Sequence, residues 1–254
     1  MRTVHDIYEE LCHLAPPELQ MDFDNAGFLV GHADAAVERV LLALDITGEV
    51  IDEAREYGAQ LIVAHHPLIF RPLRSVTAEG EGATVLRLIE GGLAAICMHT
   101  NLDIAEGGVN DVLLALLGAE REDVLDESGV GRVGTLGEPL PLESFLAVCR
   151  DRLHCDTIRF FDAGRPVIRL AVTGGSGGDM LRAVQAKGCD TYVSSDIKYH
   201  QFREAAEMGL NLIDADHFCT EYPVMPVLLE KLRLAFPEVA FRLSERQGPA
   251  VSPF

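Results

Sequence analysis

Short apolar runs alternate along this chain with stretches of helical spacing. RVLLALDI (39–46), QLIVAHH (60–66) and LAAICMHT (93–100) are continuous apolar runs of strand length. Such runs mark strands buried on both faces, as in a parallel sheet. Between and after them, EVIDEAREYGA (49–59), ATVLRLIEGG (83–92) and GGVNDVLLALLG (107–118) have helical spacing, the last closed by Gly118. Ahead of them Val4, Ile7, Leu11 and Leu14 form one helical stripe that breaks at Pro16-Pro17. Strand and helix in alternation predict a layered α/β/α fold with mixed, mostly parallel sheets.

The second half repeats the order of the first. VIRLAVTGG (167–175) tracks VLLALDITG (40–48), and DMLRAVQAKGCDTYVSSD (179–196) tracks VIDEAREYGAQLIVAHH (50–66). GLNLIDADHFCTE (209–221) tracks GLAAICMHTNLD (92–103), each followed by a Leu-rich helix. A period of roughly 120–130 residues is too long for a solenoid and suits a duplicated domain. The expected units are residues 1–128 and 129–254, with the C-terminal segment free to pack back on the first unit. The charged, Gly/Pro-punctuated stretch 119–166 reads as the boundary region, with the break near 125–135.

The ends of the predicted strands carry the unusual chemistry. LIVA runs into His65-His66-Pro67, ICM into His99-Thr100-Asn101-Leu102-Asp103, and LIDA into Asp216-His217-Phe218-Cys219-Thr220-Glu221. In open α/β sheets ligands bind beyond the carboxyl ends of strands. Adjacent histidines within a strand point to opposite faces, but a proline directly after them forces a turn that aims both into one cleft. His65, His66, Asp103, His217 and Glu221 make a set of three imidazoles and two carboxylates. That exceeds the needs of one four-coordinate ion with an open position, so a pair of ions fits better. Imidazole-rich ligation points to Zn, Fe, Mn or Co rather than Mg.

Other features carry less. TGGSGG (173–178) lacks the lysine of a phosphate-binding loop and the spacing of a dinucleotide fingerprint, and a tight turn is the simpler reading. SSDIKYH (194–200) occupies the remaining equivalent strand end, which makes Asp196 and His200 candidates for contacting substrate or supporting a ligand. Asp24 and Asn25, in a turn-forming DNAG, are further substrate-binding candidates, and Asp45 and His99 are candidates for catalysis.

Charge and cysteine content narrow the partners. Lys plus Arg number 21 against 40 Asp plus Glu, giving −19 at neutral pH. A surface this acidic repels a phosphate backbone, so nucleic acid is a poor default partner and a small molecule the expected one. Six scattered cysteines without a C-x-x-C pair, and an opening segment too polar for a signal or anchor, lead us to expect reduced thiols in the cytoplasm. No apolar run approaches the ~20 residues that cross a bilayer.

FDNAGFLVG (23–31), AHHPLIF (64–70), MHTNLDIAEGGVND (98–111), TGGSGG (173–178), SSDIKYH (194–200) and DADHFCTEYP (214–223), in this order, resemble the GTP cyclohydrolase 1 type 2 homologue family, also called the Ngg1-interacting-factor-three family. The resemblance implies two similar intertwined α/β repeats, a dinuclear metal site between them, and assembly into a homohexameric ring. It carries the ligand role onto His65, His66, Asp103, His217 and Glu221. Phe23 stands where the family usually has Trp, and Ser195 and Asp216 depart from its T-G-D and D-x-G-H patterns. The family name implies hydrolytic opening of a purine ring. Two functional readings stay open: a dinuclear metal-dependent hydrolase acting on a nucleotide or related small molecule, and a non-catalytic metal-handling or protein-interaction scaffold.

Overall fold

The computed structural model describes residues 1–251 of the chain. It contains two compact units, one built from Met1–Glu106 with Met225–Gly248 and one from Gly107–Val224.

The sheet of the first unit runs Ala240–Leu243, Arg39–Ala43, Leu61–Ala64, Ala94–Cys97, Gly27–Val30. The first four strands are mutually parallel, and Gly27–Val30 closes the edge antiparallel to Ala94–Cys97. Val40, Leu42, Leu61 and Val63 are as inaccessible as their neighbours Leu41 and Ile62, so both faces are covered. That double burial is why these segments are apolar throughout instead of alternating. On one face, Val50, Ile51 and Ala54 of helix Gly48–Tyr57 and Val85 and Leu88 of helix Ala83–Glu90 pack on Leu41, Ala43, Ile62 and Ala95. Thr47 starts the first of these helices by accepting a hydrogen bond from the Val50 amide at 3.3 Å, a cap worth about 1 kcal/mol. Gly58 ends it with φ +71°, a conformation that costs glycine nothing.

The sheet of the second unit runs Ala119–Val124, Arg132–Leu140, Val167–Ser176, Thr191–Ser195, Asn211–Asp214, Arg159–Phe161. Its three parallel strands, Val167–Ser176, Thr191–Ser195 and Asn211–Asp214, repeat the central strands of the first unit, and antiparallel strands flank them on both sides. Stretch 119–166, read from its charge and its Gly/Pro content as a boundary region, is instead ordered sheet and helix. It supplies strands Ala119–Val124, Arg132–Leu140 and Arg159–Phe161 and helix Leu142–Leu153. Ala119–Val124 is an edge strand with four successive exposed residues, and an acidic edge of this kind carries no apolar signature.

The passage between units also lies earlier than residue 128. Helix Val109–Leu116 sends Leu113 and Leu114 into the core formed with Phe145, Leu170 and Val172, so the chain has entered the second unit by Gly107. Asp111 fastens this helix within the second unit: it accepts from Arg132 Nε at 2.6 Å and from the Gly107 amide at 2.7 Å. From Met225 the chain rejoins the first unit, where Ala240–Leu243 adds an edge strand beside Arg39–Ala43.

All six cysteines are free thiols, five of them buried. Among the described residues, no helix is long and apolar enough to cross a membrane.

Candidate metal centre

In the first unit, strand Leu61–Ala64 leaves the sheet ladder at its carboxyl end. The amides of His65 and His66 both donate to one carbonyl, that of Leu44, at 3.2 and 3.0 Å. Two consecutive amides on one acceptor break the alternation of a strand, and the two rings come to the same side, with centroids 5.0 Å apart. His99, at the end of the neighbouring strand, completes the group. Ring nitrogens of His65, His66 and His99 all lie within 4.8 Å of one another.

Each ring is held through Nδ1. His65 Nδ1 donates to the Met98 carbonyl at 2.7 Å, His66 Nδ1 to Asp45 Oδ1 at 2.7 Å, and His99 Nδ1 to Asp24 Oδ1 at 2.7 Å. A carbonyl or carboxylate only accepts, so Nδ1 carries the hydrogen in all three and Nε2 of the neutral ring keeps its lone pair. Asp103 follows on the short helix Thr100–Ile104, with Oδ1 3.6 Å from His65 Nε2. Two bonds of ~2.1 Å at a tetrahedral angle separate their donor atoms by about 3.4 Å, close to that spacing.

Asp24 anchors this cluster from behind. Its side chain is inaccessible, and beyond His99 it accepts from the Thr100 amide at 3.0 Å and the Thr100 hydroxyl at 2.5 Å. Burial pushes the Asp24 carboxyl up, but the His99 ring and the Thr100 hydrogen bonds outweigh it and hold the group far below the usual carboxylate range. Asn25 next to it donates from Nδ2 to the Ile69 carbonyl at 2.5 Å, tying this turn to the loop after the twin histidines.

In the second unit, His217–Glu221 is a single helical turn, so His217 and Glu221 share a face, with Nε2 and Oε2 3.1 Å apart. His217 Nδ1 donates to Asp196 at 2.8 Å, repeating the tautomer of the other three rings. Asp216 begins this turn at φ +64°, and its Oδ1 accepts from the Cys219 amide at 3.1 Å. The carboxylate thus supplies a helix cap in exchange for a conformation that glycine adopts without strain. TGGSGG is the end of strand Val167–Ser176 and the turn after it. A Cβ on Gly175 would lie 2.1 Å from Glu221 Oε1 and 3.1 Å from His217 Nε2, so the missing side chain makes the room that this donor pair occupies. Asn110 and Thr220 hold the segment in place by accepting from the Gly174 and Gly175 amides at 2.9 and 3.0 Å.

Each unit therefore gathers its own donors. His65, His66, His99 and Asp103 stand together in the first, backed by Asp24 and Asp45, and His217 and Glu221 in the second, backed by Asp196. His200 lies elsewhere, on helix Tyr199–Met208, where it lines a shallow cleft of about 140 Å³ with Arg182 and Gln201. Gly175, Asn110 and Thr220 escaped the sequence reading. A glycine run signals a turn equally well whether or not a donor pair needs its space, whereas an asparagine within an apolar helical stretch was the available clue.

Residues 2–249 match the family model described as Duf34/NIF3 (NGG1p interacting factor 3). A Clostridium perfringens protein named GTP cyclohydrolase 1 type 2 homolog is 34% identical over 238 residues, covering 91% of each chain. A Nostoc protein of the same name is 40% identical over 203 residues, covering 77% of each. Among solved structures, a Bacillus cereus protein related to NIF3 superposes with a TM-score of 0.94 at 22% identity, covering 100% of this chain and 99% of that one, a likeness of fold.

Proposed function

The chain belongs to the Duf34/NIF3 family, and on that footing we propose that His65, His66 and Asp103 of the first unit and His217 and Glu221 of the second hold two divalent ions in a hydrolase acting on a nucleotide or related small molecule. One observation carries the reading. Four imidazoles, in two units, each have Nδ1 tied to an acceptor at 2.7 or 2.8 Å and so present Nε2 as a lone-pair donor. Acceptors behind histidine ligands are the usual means of fixing tautomer and ring orientation at a metal. A core histidine with a structural role has no need of this arrangement repeated four times. The donors are nitrogen and oxygen without thiolate, which suits Zn, Fe, Mn or Co.

When bound, such ions would supply Lewis acidity to an electrophilic carbon or phosphorus centre. The chain's own residues do the rest. His99, fixed by the buried Asp24, presents Nε2 beside the twin histidines and is placed to accept or deliver a proton there. Asp45 and Asp196 orient His66 and His217. The name of the relatives supports a nucleotide as the substrate class, and the family resemblance supports a homohexameric ring.

The test is turnover of a panel of nucleotides and phosphoesters by protein loaded in turn with Zn, Fe, Mn and Co, read as released formate or phosphate. At least one substrate is expected to turn over, and a chelator to abolish the reaction. Metal-loaded protein inert across the panel, or turnover indifferent to chelation, would contradict the proposal.

A further inference from the structure

Beside the three histidines, two phenylalanines stand in solvent. Phe23 is 63% and Phe70 44% exposed, and their rings meet edge to face with centroids 6.4 Å apart. Phe70 also stands perpendicular to His99 at 6.1 Å. Single exposed apolar side chains are common on protein surfaces; two exposed aromatic rings in mutual contact at the mouth of a donor cluster are not explained that way. Their mounting is rigid. Asn25 bonds to the Ile69 carbonyl, and Asp24 bonds to His99 and Thr100, so the segments that carry both rings are pinned to each other and to the cluster. Immediately after Phe70 come Arg71 and Arg74, both exposed, and among the described residues neither has an acidic partner. In a chain of net charge −19, two guanidinium groups without a carboxylate are placed against the prevailing field.

We propose that Phe23 and Phe70 form a stacking clamp for a planar heteroaromatic ring whose anionic substituent is held by Arg71 and Arg74. Aromatic faces stack on any heteroaromatic ring, and guanidinium forks match phosphate or carboxylate oxygens. The ligand class is a ring-bearing anion, and the clamp sets specificity for its ring. This deepens the proposed function and rests on it only for the clamp's position beside the metal ligands.

The chain contains no tryptophan, so Phe23→Trp installs a single fluorophore at the clamp. The probes are adenosine 5′-monophosphate (ring and anion), adenosine (ring alone) and ribose 5-phosphate (anion alone), with metal content measured on the same samples. Calorimetry on the unsubstituted protein gives a measure free of the substitution. Adenosine 5′-monophosphate is expected to quench saturably and to bind about tenfold or more tighter than either fragment. Arg71→Ala/Arg74→Ala should reduce its affinity to that of adenosine, and Phe70→Ala should weaken both ring-bearing probes, with metal content unchanged in each case. The clamp is overturned if ribose 5-phosphate binds as tightly as the full nucleotide, if Phe70→Ala leaves binding intact, or if metal-replete protein does not bind the ring-bearing probes. Clamp binding by protein that takes up no metal would sink the metal reading instead, so the two failures are distinguishable.

Discussion

At the scale of single residues, glycine 175 is the most demanding position. A methyl group there would overlap Glu221 Oε1 at 2.1 Å, and its φ of +63° adds a backbone penalty of about 1–2 kcal/mol. Gly175→Ala should therefore displace the Glu221 carboxylate and weaken metal uptake by about 10–100-fold, the range seen when ligand-orienting neighbours are lost. Gly118 has φ +83° and open space around it, so Gly118→Ala should cost the same backbone strain with metal affinity unchanged. Metal titration and thermal melting of both variants separate the two effects; equal metal affinity in the pair would contradict the steric argument. The histidine and carboxylate pairs stood out in the sequence because they fall at predicted strand ends, where ligands bind in open α/β sheets. The role of Gly175 was not, since it depends on which neighbour fills the space a Cβ would take.

At the scale of elements, the parallel core strands were legible from their unbroken apolar runs, and their flanking strands were not. Ala119–Val124 exposes a charged edge, and Ala240–Leu243 joins its sheet from just over 200 residues away, where no local pattern reveals the pairing. A side chain makes that last connection. Glu53 on helix Gly48–Tyr57 accepts from the Ser244 hydroxyl at 2.5 Å, the Glu245 amide at 3.0 Å and the Arg246 amide at 3.2 Å. Burial raises the Glu53 carboxyl, but these bonds and Arg242 outweigh it and leave it below its ordinary value. With the folded value depressed, the carboxylate's contribution is complete above about pH 4.3, the unfolded value, and fades as pH falls through the lower folded one. Glu53→Ala leaves several buried donors without an acceptor and should cost about 2–3 kcal/mol. Hydrogen exchange should show faster opening of 240–246 in this variant and, in the parent protein, on acidification below about pH 4. Protection of 240–246 equal to the parent's would show that Glu53 does not secure the strand.

At the scale of the whole molecule, the recurrence of three parallel strands in each unit matches the repeat read from element order. Where the units divide did not follow from composition, because helix Val109–Leu116 is chosen by the core it packs on and not by the charged segment after it. The acid excess of 40 against 21 adds loose, non-specific binding of divalent ions, so metal content before washing says little about a built site. Stoichiometry after exhaustive dialysis, compared between point variants of the two donor sets, says far more. The central proposal is that His65, His66, Asp103, His217 and Glu221 hold divalent ions. Elemental analysis of the dialysed protein, of His65→Ala and of Glu221→Gln, each shown folded by circular dichroism, tests it most directly. We predict about two ions per chain in the parent protein and the loss of at least one in each variant. A parent chain free of divalent metal, or variants that retain its full complement, would contradict the account.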